Sequence, residues 1–178
     1  MNDPMLALND TAYGNPNVRV TLREIAEKVG GCIDTSHSFV AQESVGEAIM
    51  LTKRAGGDYP GDAGRLFHLH FNDNPGHWDD DMIVGVVRNT TYLETLYWLD
   101  RCGYAEWLSM DQHPYREDAA GATGEGILWL TPFDAMVPQR RTEIDATIAA
   151  QDGVATSRFL RSVLDHSDAP LVKPRQEV

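Results

Sequence analysis

The sequence predicts an α/β fold: a parallel half-barrel of alternating strands and helices, followed by extra C-terminal helices. Three observations carry that reading. Helix-start signals recur along the chain at Thr21–Glu24, Ser44–Glu47 and Thr91–Glu94, each pairing a hydroxyl with a glutamate three residues on. Each helical stretch is closed by glycine, at Gly30–Gly31, Gly56–Gly57 and Gly103. A short apolar run follows each stop and ends in a polar residue: Gly31–Cys32–Ile33–Asp34, Leu66–Phe67–His68–Leu69–His70 and Trp107–Leu108–Ser109–Met110–Asp111. Strands that alternate with helices imply parallel pairing, and carboxylates and imidazoles at strand ends place chemistry on the C-terminal rim of the sheet.

The elements follow in order. Met5–Leu6–Ala7–Leu8 is the first strand candidate. Leu22, Ile25, Ala26 and Val29 share one helical face, as do Val45, Ala48 and Ile49, and Leu93, Leu96 and Tyr97. Between them lie the three runs named above, so the order is strand, helix, strand, helix, strand, helix, strand. After Asp111 the character changes. Residues 112–125 are polar and rich in Gly, Asp and Ala and read as a loop; Gly126 to about Val137 reads as a helix stopped by Pro138; 140–150 and 155–165 read as two more amphipathic helices. Residues 1–168 form one partial barrel domain with closing helices, and 169–178, with Pro170 and Pro174, form a frayed tail.

Bulk properties bound the function. The 178 residues suffice for a real core, whereas a full barrel takes roughly 250, leaving room for about half to two thirds of one. The chain is 42% hydrophobic and 24% charged, an ordinary globular balance, with mean hydropathy −0.35. The formal net charge of −12 opposes a nucleic-acid groove, which needs a basic footprint. It is compatible with divalent cations and neutral substrates, and equally with a solvated acidic surface. Cys32 and Cys102 read as core thiols in a reducing compartment. No apolar run reaches membrane-spanning length, and Met1–Asn2–Asp3–Pro4 lacks the features of a signal peptide, so a cytoplasmic location is expected.

Four groups carry candidate chemistry. Asp34 and His37, three apart just past a strand, can face one rim as metal ligand and as metal or substrate contact; Asp34 can equally cap a helix or turn. His68 and His70, two apart on a strand, point to one face, with His70 the better ligand because it lies nearer the strand end. Asn72–Asp73–Asn74 follows and makes the loop unusually polar. Asp79, Asp80 and Asp81 after Trp78 repel one another unless solvated or bound to a cation, and 79 and 81 can face one way while 80 faces another. Trp78 either lines a pocket or packs. Asp111 precedes a loop of mixed aromatic, basic and acidic groups, Gln112 to Asp118, suited to a substrate-facing rim or to a plain polar loop. The chain has no glycine-rich phosphate loop, nucleophile elbow or paired CxxC.

Jointly, Asp34–Thr35–Ser36–His37, Gln42–Glu43–Ser44, His68 to Asn74, Trp78–Asp79–Asp80–Asp81, Gly103–Tyr104, Ser109–Met110–Asp111 and Pro114 to Asp118 resemble the xylose-isomerase-like TIM barrel superfamily. Within it they resemble the L-rhamnose-isomerase-like sugar isomerases and epimerases. The likeness runs from about residue 20 to residue 165 and covers the C-terminal half of a TIM barrel, strands five to eight. It implies Asp34, His70 and Asp111 as ligands of a structural metal, and His37, Asp79 and Asp81 as ligands of a second, catalytic one. It implies Trp78, His68 and Asn72 as substrate contacts, and Mn²⁺, Mg²⁺, Co²⁺ or Zn²⁺ as the ion. The implied reaction is aldose–ketose isomerisation, a hydrogen shift between C1 and C2 of a sugar. Epimerases of the superfamily usually carry glutamate where Asp111 stands, which tilts the reading toward isomerases.

The chain departs from the pattern in one place. The family's remaining ligand, a glutamate followed by lysine, has no counterpart in Met5 to Asp10, and Asn9 or Asp10 is not expected to replace it. The chain is then a fragment, one subunit of a split barrel or a degenerate relative; the expected partners are a homo-oligomer mate or a complementary half-barrel chain and a small-molecule sugar, with neither nucleic acid nor membrane. Rival readings are a non-catalytic metal- or sugar-binding half-barrel and a sugar epimerase. A phosphodiesterase of the endonuclease IV kind is disfavoured by the charge of −12.

Overall fold

The computed structural model of the chain describes residues 8–9, 19–20, 29–55 and 64–164. Strands β1 (Leu8–Asn9) and β2 (Arg19–Val20) form a short antiparallel pair. The central sheet has three parallel strands in the order β3 (Gly31–Asp34), β4 (Leu66–Phe71), β5 (Leu108–Met110). Helices α1 (Thr35–Val40) and α2 (Val45–Ala55) follow β3, α3 (Asn89–Cys102) follows β4, and α4 (Ala119–Ala150) and α5 (Gly153–Leu164) follow β5. The fold is thus α/β with a small parallel sheet. The first strand departs from expectation: Leu8 pairs antiparallel with Val20 and has no place in the parallel sheet. Met5 to Ala7, Asp10, the Thr21–Glu24 helix start, the Gly56–Gly57 stop and the 169–178 tail lie outside the described residues.

The sheet has two unlike faces because side chains alternate along each strand. Ile33 aligns with Leu69, and Leu69 with Leu108; these and Phe71 point into the core with Val45, Ile49, Tyr92, Leu93, Leu96 and Tyr97. Leu69, Phe71 and Ile49 are wholly buried, each removing enough apolar surface to contribute about 2–3 kcal/mol. On the other face Asp34 aligns with His70 and His70 with Ser109; these and His68 are half-buried and Cys32 is exposed. Cys32 is therefore a thiol of the open face, contrary to the core position expected for it, because its register partner His68 shares that face. Cys102, the last residue of α3, is buried as expected.

The helix signals act locally, with instructive shifts. Ser44 Oγ accepts from the Glu47 N–H at 3.3 Å and opens α2 as the spacing predicts. Thr91 sits inside α3, which begins earlier because Asp73 Oδ2 accepts from the Val87 and Arg88 N–H groups at 2.9 and 3.1 Å, just before the helix. Gly103 ends α3 in the left-handed region at φ +73°, a conformation that costs other residues strain. Residues 119–125, read as loop, are the first two turns of α4: Asp118 Oδ2 accepts from the Gly121 N–H at 2.6 Å, and this cap outweighs the low helix propensity of Gly121 and Gly124. The expected break near Pro138 falls at Arg140, whose φ −107° and ψ 15° interrupt the helix. α3 lies between α2 and α4, and α5 closes back onto α4. Among the described residues no helix is long and apolar enough to cross a membrane.

Candidate metal centre

The parallel register brings three strand ends together. Asp34 closes β3, His70 is next to last in β4, and Asp111 follows β5, where its N–H donates to Phe71 O at 3.0 Å. His70 Nδ1 lies 3.0 Å from Asp111 Oδ2 and 3.5 Å from Asp34 Oδ2. One ligand atom from each of the three lies within 4.8 Å of the others, and among the described residues no other group of three His, Cys, Asp or Glu side chains meets that condition. One imidazole nitrogen and two carboxylates suit Mn²⁺, Mg²⁺, Co²⁺ or Zn²⁺. The set fits a divalent ion in a second respect: the carboxylates converge on one nitrogen from a face that is only partly wet, with side-chain exposures of 11% for Asp34, 36% for His70 and 54% for Asp111.

Asp34 does both things its position allowed. Its Oδ1 accepts from the His37 N–H at 3.0 Å and caps α1, while Oδ2 faces His70. A six-residue helix starting directly at a strand end thereby aims one carboxylate oxygen at the site and places His37 one turn along. Burial first, then the Asp34 and Asp111 carboxylates, push up the pKa of Cys32, two residues back on the same face.

A second cluster lies alongside, built on loops. His37 Nε2 is 2.7 Å from Asp79 Oδ2, an ion pair when the ring is protonated. Burial lowers the His37 pKa, but Asp34, Asp79 and Asp81 outweigh it and hold the value above the ordinary 6.5. Asp79 Oδ1 accepts from the Ser36 hydroxyl at 2.6 Å. Asp81 turns elsewhere: its Oδ1 accepts from Asn72 Nδ2 at 2.9 Å, and its backbone sits at φ +46°, with its carbonyl accepting from the His113 N–H at 3.1 Å. Its pKa is raised, by burial first and then by Asp79, Asp111 and Asp34, while the Asn72 bond opposes the shift. The structure thus pairs His37 with Asp79 and sets Asp81 beside both clusters, without closing His37, Asp79 and Asp81 into a ligand triangle.

The three substrate candidates separate. Trp78 is 75% exposed and free to meet a ligand. His68 stands edge-on to His70, ring centroids 5.2 Å apart. Asn72 is fully buried, with its amide shared among Ser36 N–H, Thr35 Oγ1 and Asp81, so it holds the protein to itself. Sequence reasoning marked Asp73 and Asn74 only as part of a polar loop and Thr35 and Ser36 only as part of the resemblance, and assigned none of them a role at the site; all four are wholly buried and hydrogen-bonded around it. Three successive small polar residues straight after a buried strand were the available signal. Two clefts of about 300 and 430 Å³ lie elsewhere, the first between α3, α4 and α5, the second between α3, α4 and β5. In comparisons with known proteins no family model matches the chain and no curated protein is significantly similar to it.

Proposed function

We propose that the chain is a metal-dependent, aldose–ketose-isomerase-like protein: the C-terminal half of a βα barrel of the xylose-isomerase-like kind. The observation that carries this reading is the convergence of Asp34, His70 and Asp111 on one point at the C-terminal ends of three parallel strands. An ion held there would polarise, and act as a template for, adjacent sugar oxygens. Aldose–ketose exchange moves one hydrogen between C1 and C2 and one proton between the two oxygens, so it needs a group that takes a proton and returns it. His37 Nε2, 2.7 Å from Asp79 Oδ2 and two-thirds exposed, is placed to do both. Asp81, with one oxygen held by Asn72, adds a second negative charge that His37 feels. Trp78 offers an exposed ring for the apolar face of a sugar.

The open sheet face supports a partner. Cys32, Asp34, His68, His70 and Ser109 share a side of the sheet on which they are exposed or half-buried, and in a closed barrel that side is the interior. A second copy or a complementary half-barrel would cover it. The exposure of Asp111 favours one rival, a binding module that holds metal or sugar without turnover. Incubation of the purified chain, sized by light scattering, with Mn²⁺ and a panel of aldoses and ketoses separates the two. Interconversion seen by ¹³C NMR supports the isomerase; metal and sugar binding without turnover selects the binding module; neither binding nor turnover overturns both.

A further inference from the structure

We propose that Ser36 and Asn74 are positioning residues for Asp79, forming a one-way hydrogen-bond chain that fixes one carboxylate oxygen and presents the other to His37. The direction follows from donor accounting. The Gly76 N–H can only donate, and it lies 2.7 Å from Asn74 Oδ1, so the oxygen of that amide is on the Gly76 side. The Asn74 NH₂ then faces Ser36, donating to its carbonyl at 2.9 Å and to its hydroxyl oxygen. A hydroxyl has one proton. With Asn74 donating into it, the Ser36 proton goes to Asp79 Oδ1, 2.6 Å away. Asp79 Oδ2 is left pointing at His37 Nε2.

The chain sits on a rigid base. Ser36 and Asn74 are both wholly buried. Ser36 N–H donates to Asn72 Oδ1 at 2.9 Å, and Asn74 N–H donates to Asp73 Oδ1 at 2.9 Å. Asp73 in turn pairs with Met82 through two backbone hydrogen bonds of 3.0 and 2.8 Å and so closes the loop that carries Asp79. Asp79 itself is 38% exposed and lies on that loop, so without a donor from below its carboxylate would be held only by the exposed His37. Buried amides and hydroxyls are costly unless paired, and here the pairing ends on an exposed carboxylate rather than within the core.

The inference deepens the proposed function, because it assigns support to the pair given the proton-handling role there. Its test needs neither metal nor turnover, so it can fail or succeed by itself. Three-bond couplings of Asp79 in the metal-free full-length chain report its χ1 rotamer. Wild type is expected to show one dominant rotamer. Ser36→Ala leaves Asn74 still bonded to the residue-36 carbonyl, so the fold holds, and it should average the Asp79 couplings over several rotamers. Asn74→Asp, equal in size but unable to donate to Ser36, draws the serine proton to itself and should do the same. Ser36→Cys, close in size with a weaker donor, carries the test if the alanine variant does not fold. Averaged couplings in these variants with unchanged His68 and His70 ring signals support the proposal. Unchanged Asp79 couplings in folded Ser36→Ala or Ser36→Cys, or wild-type couplings already averaged, overturn it.

Discussion

The two polar clusters of this molecule stand side by side and are built in opposite ways. Asp34, His70 and Asp111 take their positions from parallel strand register, so the sheet itself brings the ligand atoms together. His37, Asp79 and Asp81 come from a short helix and a loop, and they depend on buried Ser36, Asn72 and Asn74 for aim. A sheet-built site should survive the loss of any neighbour that is not a ligand; a loop-built site should fail when its buried supports go. Precision on strands is inherent, and precision on loops has to be supplied from underneath.

The largest expected effect tests the sheet-built cluster. His70→Ala removes the nitrogen on which both carboxylates converge and should weaken Mn²⁺ binding by more than about 100-fold, since even outer partners of ligands are worth roughly 10–100-fold. Isothermal titration checks it, and retained affinity would break the contrast. Asp34 gives the next effect, in two separable parts. Asp34→Asn keeps a cap oxygen for the His37 N–H but loses the charge, so binding should fall with little change in melting. Asp34→Ala should lose binding and also about 1 kcal/mol of stability with the cap. Equal melting of the two variants would refute the double role.

A smaller effect belongs to the loop-built cluster and to pH. His37 has a folded-state pKa above 6.5, so its contribution to stability is full below 6.5 and is lost as pH rises through the raised value. Asp81, raised above the usual 3.8, acts with the same sign at lower pH: stability falls as pH climbs from 3.8 through the folded-state value. Metal-free protein should therefore lose stability as pH rises from 6.5 through the raised His37 value, and His37→Gln should abolish that loss. His37 is two-thirds exposed, so the loss will be slight. The effect on the two clusters is smallest in a control. Gly103→Ala forces φ +73° on a residue with a Cβ, with open space around it, and should cost about 1 kcal/mol while sparing both clusters.

Legibility in the sequence divides along the same line. Gly31 to Asp34, Leu66 to His70 and the run ending at Asp111 are readable as strands because glycine stops, alternation and length all agree, and the ligand trio follows from where those runs end. The Ser44 cap and the Gly103 stop act locally and are visible for that reason. The start of α4 is hidden because one aspartate cap, Asp118, overrides three glycines. The fully buried Asn72 is hidden too: an asparagine reads as a loop or substrate group until its partners, 36 and 37 residues earlier in the chain, are folded against it. The separate pairing of Leu8 with Val20 has the same origin, a long-range choice that no local pattern records.

The central claim is that Asp34, His70 and Asp111 form a metal centre. Electron spin-echo spectroscopy of Mn²⁺ added to the full-length protein tests it most directly, because it detects a nitrogen bound to the ion. One tightly held Mn²⁺ per chain with a directly coordinated imidazole, the coupling absent in His70→Ala and intact in His37→Gln, is the predicted result. No tight Mn²⁺, or a nitrogen coupling that persists in His70→Ala, would contradict it.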